Sequence, residues 1–296
     1  MRIFLTGLNG FIGKSLYTNL LNNHEIISLV RRKNNRNSKK NILEIEGNLK
    51  DSNKWLKSVK NFSPECCIHL AWDGLPDYSL EKCNDNINQN LNLIDTLIDI
   101  SVKRVVIAGS CWEYGNTIGS VSEEKNPENP SLFALSKLKI LSFYENLFRV
   151  NKIDYRWARI FFTYGPNQRD SSLIPTLWRN IRYSDKNIIN SPNIFQDYIY
   201  VDDVANCLLE MISEKIPSGI YNIGSGKLHS VAEIAKIIYS YYDLTSPFEK
   251  YEGINKEGVY SNTKKTESLL DFKPKFSLKD GVIKTLQSLD KINGFN

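Results

Sequence analysis

Arg2-Ile-Phe-Leu-Thr6-Gly7-Leu8-Asn9-Gly10-Phe11-Ile12-Gly13 is the stretch whose reading decides the fold. Residues 2 to 6 are an apolar run closed by glycine, too short for a helix, and read as a buried strand. A helical pattern follows from Lys14 to Asn22. Glycine at 7 permits a tight turn, glycine at 10 lets backbone N–H groups approach a pyrophosphate, and glycine at 13 lets the helix pack on the strand. Any turn can use three such glycines. Set between a first strand and a first helix, they specify a dinucleotide-binding unit. Gly7, Asn9, Gly10, Phe11, Ile12 and Gly13 are the residues expected to form the cradle.

The next strand outward is Glu25-Ile-Ile-Ser-Leu-Val30. Dinucleotide folds that take NAD place an acidic residue at the end of this strand, where it binds the ribose 2′-hydroxyl. Here Arg31-Arg32-Lys33 stand at that place. Guanidinium groups suit the 2′-phosphate of NADP through charge-assisted bonds, so Arg31 and Arg32 point to NADP over NAD. Lys39 and Lys40 read as a solvated basic loop. The net charge of +5 is local: without Arg31, Arg32, Lys33, Arg36, Lys39 and Lys40 the chain holds 32 basic residues against 33 acidic. A nucleic-acid binder spreads basic charge over a face, so no nucleic acid is expected as partner.

Ile42 to Ile45 reads as a third strand, followed by a loop in which Asn48 and Leu49 are placed to touch adenine. Cys66 to Trp72 is a fourth strand, and His69 inside it reads as a packed core residue. Residues 86 to 100 carry apolar positions at 87, 91, 94 and 98, a helical stripe. Arg104-Val-Val-Ile-Ala-Gly109 is a β-branched strand. It ends at Ser110, on the carboxyl edge where open α/β sheets bind ligands. A helix over 132–148 puts residues 133 and 137 on one face. A hydroxyl at Ser110 facing the ammonium of Lys137 suits proton transfer beside a bound cofactor, but Phe133, one turn before Lys137, has no proton to give. Arg156 to Phe162 is a sixth strand.

Six strands alternating with helices define an α/β fold, a doubly wound parallel sheet of Rossmann type. Residues 1–165 form the expected NADP-binding domain. Residues 166–296 form a smaller α/β substrate-binding lobe, with some segments returning to the sheet. Hydrophobic content of 41% and charged content of 24% are those of a soluble globular protein. No apolar window is long enough for a membrane span, and no signal peptide is evident. Five cysteines without metal-ligand spacing imply reduced thiols, a cytoplasmic setting and no metal.

The motifs combine into a family. Thr6-Gly7-x-x-Gly10-x-x-Gly13, His69-Leu-Ala71, Asn86, Ser110-x-x-x-Tyr114-Gly115, Ser136-Lys137, Tyr164-Gly-Pro166, Asp197-Tyr198-x-x-Val201-Asp202-Asp203 and Tyr221-Asn-Ile-Gly224-Ser-Gly226 run through most of the chain. On these motifs the chain resembles the extended short-chain dehydrogenases/reductases, the NAD-dependent epimerase/dehydratase family, in the branch acting on nucleotide-linked sugars. The resemblance implies hydride transfer at a sugar carbon with a Ser/Thr, Tyr and Lys triad. By position Ser110 is the Ser, Lys137 is the Lys, and Phe133 stands where the Tyr belongs. It further implies Leu70, Ala71, Trp72 and Lys137 against the cofactor, and Ser110, Cys111, Trp112, Leu173, Arg179 and Tyr198 against a nucleotide-diphosphate sugar. The helices over 86–100 and 132–148 are the family's homodimer face.

Dehydratases of the family carry Thr-Asp-Glu at the positions of Ser110-Cys111-Trp112, so water loss is not the expected reaction. The string from Gly109 to Gly115 resembles reductases of nucleotide-linked 4-keto-6-deoxy sugars in polysaccharide biosynthesis. NADPH-dependent reduction at C4 is therefore the expected activity, with a sugar epimerase or a non-catalytic nucleotide-sugar-binding protein as alternatives. Phe133 has three readings: a variant inactivated to hold its complex, an enzyme using another donor such as Ser110, Cys111, Tyr114 or water, or a binding protein without redox chemistry.

Overall fold

The computed structural model describes residues 1–20, 24–33, 41–184, 189, 191–248, 251 and 257–295. Arg36, Lys39 and Lys40 of the basic loop lie outside the described residues. The chain divides into two compact units. The first comprises Met1–Asn116, Lys125–Ile160 and Ala205–Tyr221, and the second Thr117–Glu124, Phe161–Val204 and Asn222–Asn296.

The first unit is built on β1 (Arg2–Thr6), β2 (Glu25–Val30), β3 (Ile42–Glu46), β4 (Cys66–His69), β5 (Arg104–Ser110) and β7 (Asp154–Ile160). β6 (Gly119–Val121) lies in the second unit. β10 (Gly219–Ile223) joins the edge at β7, giving the order β10-β7-β5-β4-β1-β2-β3. The ladder from β3 through β7 is parallel throughout. The order reverses between β1 and β4, the switch point at which ligands bind in such sheets. The doubly wound α/β expectation holds.

Helices α1 (Phe11–Leu20), α2 (Leu56–Phe62), α3 (Leu80–Asp99) and α4 (Leu132–Asn151) belong to the same unit. Their apolar residues Leu93, Ile94, Leu97, Ile140, Tyr144 and Phe148 pack with Phe4, Val105, Ile107 and Trp157 of the strands. Two helices begin earlier than the sequence pattern suggests. α1 starts at Phe11 rather than Lys14, because Gly13 lets its first turn close against the preceding loop. α3 starts at Leu80 rather than 86, where the Ser79 hydroxyl accepts the Lys82 N–H at 3.4 Å as N-cap. The fourth strand ends at His69, so Leu70 to Trp72 leave the sheet and turn over its edge.

The second unit holds a three-stranded sheet of β8 (Phe162–Tyr164), β9 (Phe195–Tyr200) and β11 (Leu228–Ser230). β6 pairs in parallel with β12 (Val259–Ser261). The expected single strand 156–162 is thus two strands in different sheets. Helices α5 (Leu173–Arg182), α7 (Val231–Tyr241) and α9 (Leu278–Ile292) bury Leu177, Trp178, Ile234, Ile238, Val282 and Leu286 together. α6 (Val201–Glu210) begins in this unit and α8 (Lys264–Leu270) lies within it. Among the described residues no helix is long and apolar enough to cross a membrane.

Candidate active site

The glycine turn is tight because its neighbours leave no room. Gly7 has φ +82°, and a Cβ there would lie 2.8 Å from the Ala71 nitrogen. A Cβ on Gly13 would lie 2.1 Å from the Gly7 carbonyl oxygen. A Cβ on Gly10 would meet only the Gly7 oxygen, at 3.1 Å, so the space over the turn stays open. Gly10 N–H donates to the Gly7 carbonyl at 3.0 Å, and Lys14 N–H donates to Gly10 at 3.0 Å. The first N–H groups of α1 have no carbonyl one turn before them, which makes the helix start an anion site. The turn, its open face and the helix start fit a dinucleotide pyrophosphate.

A buried polar chain fixes the neighbouring loop. His69 Nδ1 lies 2.7 Å from Thr6 Oγ1, and His69 Nε2 lies 3.1 Å from Asn90 Oδ1. The Asn90 oxygen can only accept, so Nε2 carries the hydrogen and Nδ1 accepts from Thr6. Burial, with the Lys137 charge adding to it, lowers the His69 pKa to about 3. The histidine is therefore a neutral structural pin. Asn86 completes the chain: its Oδ1 accepts the Asp73 N–H at 2.8 Å, and its Nδ2 donates to the Asp73 carbonyl at 2.9 Å. Leu70, Ala71 and Trp72 are held between these two anchors.

The end of β5 is organised by a residue that the sequence reading overlooked. Ser110 caps a short 3-10 turn, Cys111–Tyr114, its hydroxyl accepting the Trp112 N–H at 3.2 Å. Glu113 reaches back to accept the Ser110 N–H at 2.8 Å. The same fully buried carboxylate accepts Trp157 Nε1 at 3.0 Å and Arg159 Nε at 2.8 Å. The Ser-x-x-Glu spacing of a capping box was the available signal.

Lys137, on α4, is buried, and its ammonium donates to the Ala108 carbonyl at 2.8 Å. It lies 4.2 Å over the Trp72 ring. Burial lowers its pKa to about 8, against the opposing pull of Glu113. One turn earlier, Phe133 packs edge-on against Trp72 at 5.0 Å, Tyr78 at 5.2 Å and Trp112 at 5.6 Å. Ser110, Trp112, Phe133, Lys137 and Trp72 thus stand together at one end of β4 and β5.

Several other expected residues are engaged in contacts of their own. Arg31 is exposed, and its guanidinium pairs with Asp73 at 3.1 Å. Arg32 is exposed. Asn48 closes an Asx turn, its Oδ1 accepting the Lys50 N–H at 2.9 Å, and Leu49 is buried in the core. Cys111 is buried. In the second unit, Leu173 opens α5, Arg179 donates to the Asp170 carbonyl at 2.7 Å, and Tyr198 is half-buried on β9. There the family-motif acid Asp197 is structural, accepting N–H groups from Ser225, Gly226 and Ser261.

Switch-point sheet, glycine turn and Ser–Lys pair define a dinucleotide-binding α/β protein. Residues 3–224 match the model of the NAD dependent epimerase/dehydratase family, and the chain belongs to that family. It is similar to the ADP-L-glycero-D-manno-heptose-6-epimerase of Brachyspira hyodysenteriae, 27% identical, covering 99% of both chains. It is similar also to the dTDP-6-deoxy-L-talose 4-dehydrogenase (NAD(+)) of Aggregatibacter actinomycetemcomitans, 25% identical over 78% of this chain and 87% of that one. Among solved structures, UDP-glucose 4-epimerase from Thermotoga maritima, crystallised with UDP-glucose, superposes with a TM-score of 0.85. That match covers 99% of this chain and 100% of the other at 22% identity, and it speaks for the fold alone.

Proposed function

We propose that the protein reduces a keto group, at C4, of a nucleotide-linked deoxy sugar, with NADPH as reductant. The observation that carries this reading is the end of β2. Two exposed guanidinium groups, Arg31 and Arg32, stand where an acidic residue would favour NAD. NADPH is the reductant a cell exchanges freely, so a preference for it favours net reduction over a closed oxidation–reduction cycle. The relative named a 6-deoxy-talose 4-dehydrogenase supports the same carbon and the same sugar class, although that enzyme is named for NAD(+).

A bound reduced nicotinamide supplies the hydride. The chain's own residues do the rest. Gly7, Asn9, Gly10, Phe11, Ile12 and Gly13 hold the pyrophosphate, and Leu70, Ala71 and Trp72 line the nicotinamide half. Ser110 donates a hydrogen bond to the keto oxygen and polarises the carbonyl. Lys137 keeps a positive charge beside the nicotinamide ribose, anchored by the Ala108 carbonyl. Trp112 offers an aromatic surface to the sugar, being 40% exposed. Leu173, Arg179 and Tyr198 are assigned to the nucleotide half of the substrate. The exposed Leu132, Leu135, Leu147 and Val150 on α4 fit a homodimer face, and five buried free thiols fit a reducing, cytoplasmic compartment.

An epimerase of the same family is the second reading, favoured by the heptose epimerase relative that spans nearly the whole chain. The deciding experiment mixes the protein, and its Phe133→Tyr variant, with NADPH and a nucleotide-linked 4-keto sugar while following nicotinamide absorbance. Steady loss of NADPH with formation of the alcohol is expected, faster in the variant. Interconversion of sugar epimers with no net consumption of NADPH would instead select the epimerase.

A further inference from the structure

We propose that Tyr78 is the proton donor to the substrate oxygen, supplying the phenol that position 133 lacks. The assignment rests on the reductase reading above. Its grounds are the geometry around Phe133. The Tyr78 ring meets Phe133 at 5.2 Å with an interplanar angle of 64°, and meets Trp112 at 5.3 Å. Trp112 and Phe133 in turn are 5.6 Å apart, so the three rings form a closed triangle beside the end of β5. Phe133 is its buried member, Trp112 its exposed one, and Tyr78 is half-buried between them. Among the described residues Tyr78 is the tyrosine whose ring packs on Phe133, and its hydroxyl has no hydrogen-bond partner there.

The other donors near Ser110 are already committed. Tyr114 is fully buried, with the Arg159 guanidinium 4.6 Å over its ring. Cys111 is buried beneath the same turn. The Ser110 hydroxyl is fixed by the Trp112 N–H, which suits it to orienting the carbonyl rather than to delivering a proton. A half-buried phenol in an aromatic wall beside the Ser110 turn is the candidate for a general acid, which must reach the oxygen directly or through one water.

The carbonyl carbon accepts a hydride from the reduced nicotinamide, and its π pair moves onto oxygen. That oxygen takes the proton of Tyr78 Oη, and the sugar is reduced by two electrons while the dinucleotide is oxidised by two. The tyrosinate regains its proton from water.

The test compares the parent with Tyr78→Phe, Phe133→Tyr and the double variant. Single-turnover oxidation of NADPH is measured alongside calorimetric affinity for the nucleotide-linked 4-keto sugar. Tyr78→Phe is expected to slow turnover by about 10²- to 10⁴-fold, the usual worth of a general acid, with substrate affinity held within about threefold. Phe133→Tyr is expected to restore most of that loss in the double variant. A readout independent of turnover uses carbon-13 at the tyrosine Cζ, with Tyr78→Phe assigning the resonance. In the protein without cofactor, the Tyr78 signal is expected to move as the keto sugar saturates the site. An unmoved signal, or a Tyr78→Phe rate equal to the parent's, overturns the assignment while leaving the reductase reading intact. If parent and Phe133→Tyr alike consume no NADPH, the reductase reading falls and takes the proposal with it.

Discussion

Lys137 holds its ammonium 4.2 Å over the Trp72 ring while donating to the Ala108 carbonyl at 2.8 Å. The pair joins α4 to the loop after β4 across the end of the sheet. A cation so placed is useful to a bound dinucleotide and costly to the fold, since burial lowers its pKa to about 8 even against the opposing pull of Glu113.

That cost has a sign. The unfolded chain holds the Lys137 proton up to about pH 10.5, whereas the folded protein releases it near pH 8, so between these values the unfolded state binds more protons and stability rises with pH. Raising the pH from about 7.5 to about 9 is expected to add about 1 kcal/mol of unfolding free energy from this group. Lys137→Met is expected to abolish that increment, to match or exceed the parent's stability at neutral pH, and to lose activity. Urea unfolding of both proteins at the two pH values measures it. An equal pH response in the variant would sink the assignment.

His69 gives a slope of the same sign on the acid side. Its folded pKa, about 3, lies below the unfolded value near 6.5. The stability it confers is complete above about pH 6.5 and drains away as the pH falls toward 3. Between about pH 7.5 and 5.5 the loss is expected to be about 1.4 kcal/mol. His69→Gln keeps a donor and an acceptor for Asn90 and Thr6 and titrates nowhere in this range. Its unfolding midpoint is expected to be the less pH-dependent of the two by that amount.

How far the sequence carried this reading depended on whether a signal was local. The glycine turn, the β5 strand and the Phe133–Lys137 face were legible because a turn, a strand end and a helical spacing are fixed by neighbours in the chain. His69 was rightly read as packed, since an apolar run desolvates whatever it contains. What escaped was set by partners far along the chain. Leu49 looked like a ligand contact, yet it packs in the core with residues of several strands and helices. Arg31 looked free, but its partner is 42 residues away. Tyr78 had no motif at all, and only the fold brings it to Phe133.

Arg31 and Asp73 set up a competition over the cofactor. The pair is exposed, and such pairs contribute about 0–1 kcal/mol, so a 2′-phosphate can displace the Asp73 carboxylate at little cost. Arg31→Ala is expected to weaken NADP binding by roughly tenfold or more while leaving NAD within about twofold, as befits the loss of a charge-assisted bond. Asp73→Asn frees the guanidinium and is expected to tighten NADP. Calorimetric titration of both dinucleotides reads the outcome, and tighter binding of NAD than NADP by the parent would reverse the reading of β2.

Glu113 anchors the turn that presents Ser110, and its replacement is expected to be felt in stability before activity. One carboxylate oxygen accepts Ser110 N–H and Trp157 Nε1, and the other accepts Trp157 Nε1 and Arg159 Nε. Every partner is a donor. Glu113→Gln keeps the shape, yet whichever way the amide turns, its NH2 faces at least one of those N–H groups. The Arg159 charge, 4% exposed at the side chain, also loses its counter-ion. Breaking a buried pair from one side costs about 3–5 kcal/mol, and a similar loss is expected in urea unfolding. The half-exposed Trp112 sits on the same turn, so its fluorescence is expected to change in the folded variant. A Glu113→Gln protein within about 1 kcal/mol of the parent, with unchanged Trp112 emission, would mean that the β5 strand and the Ser110 cap hold the turn without the carboxylate.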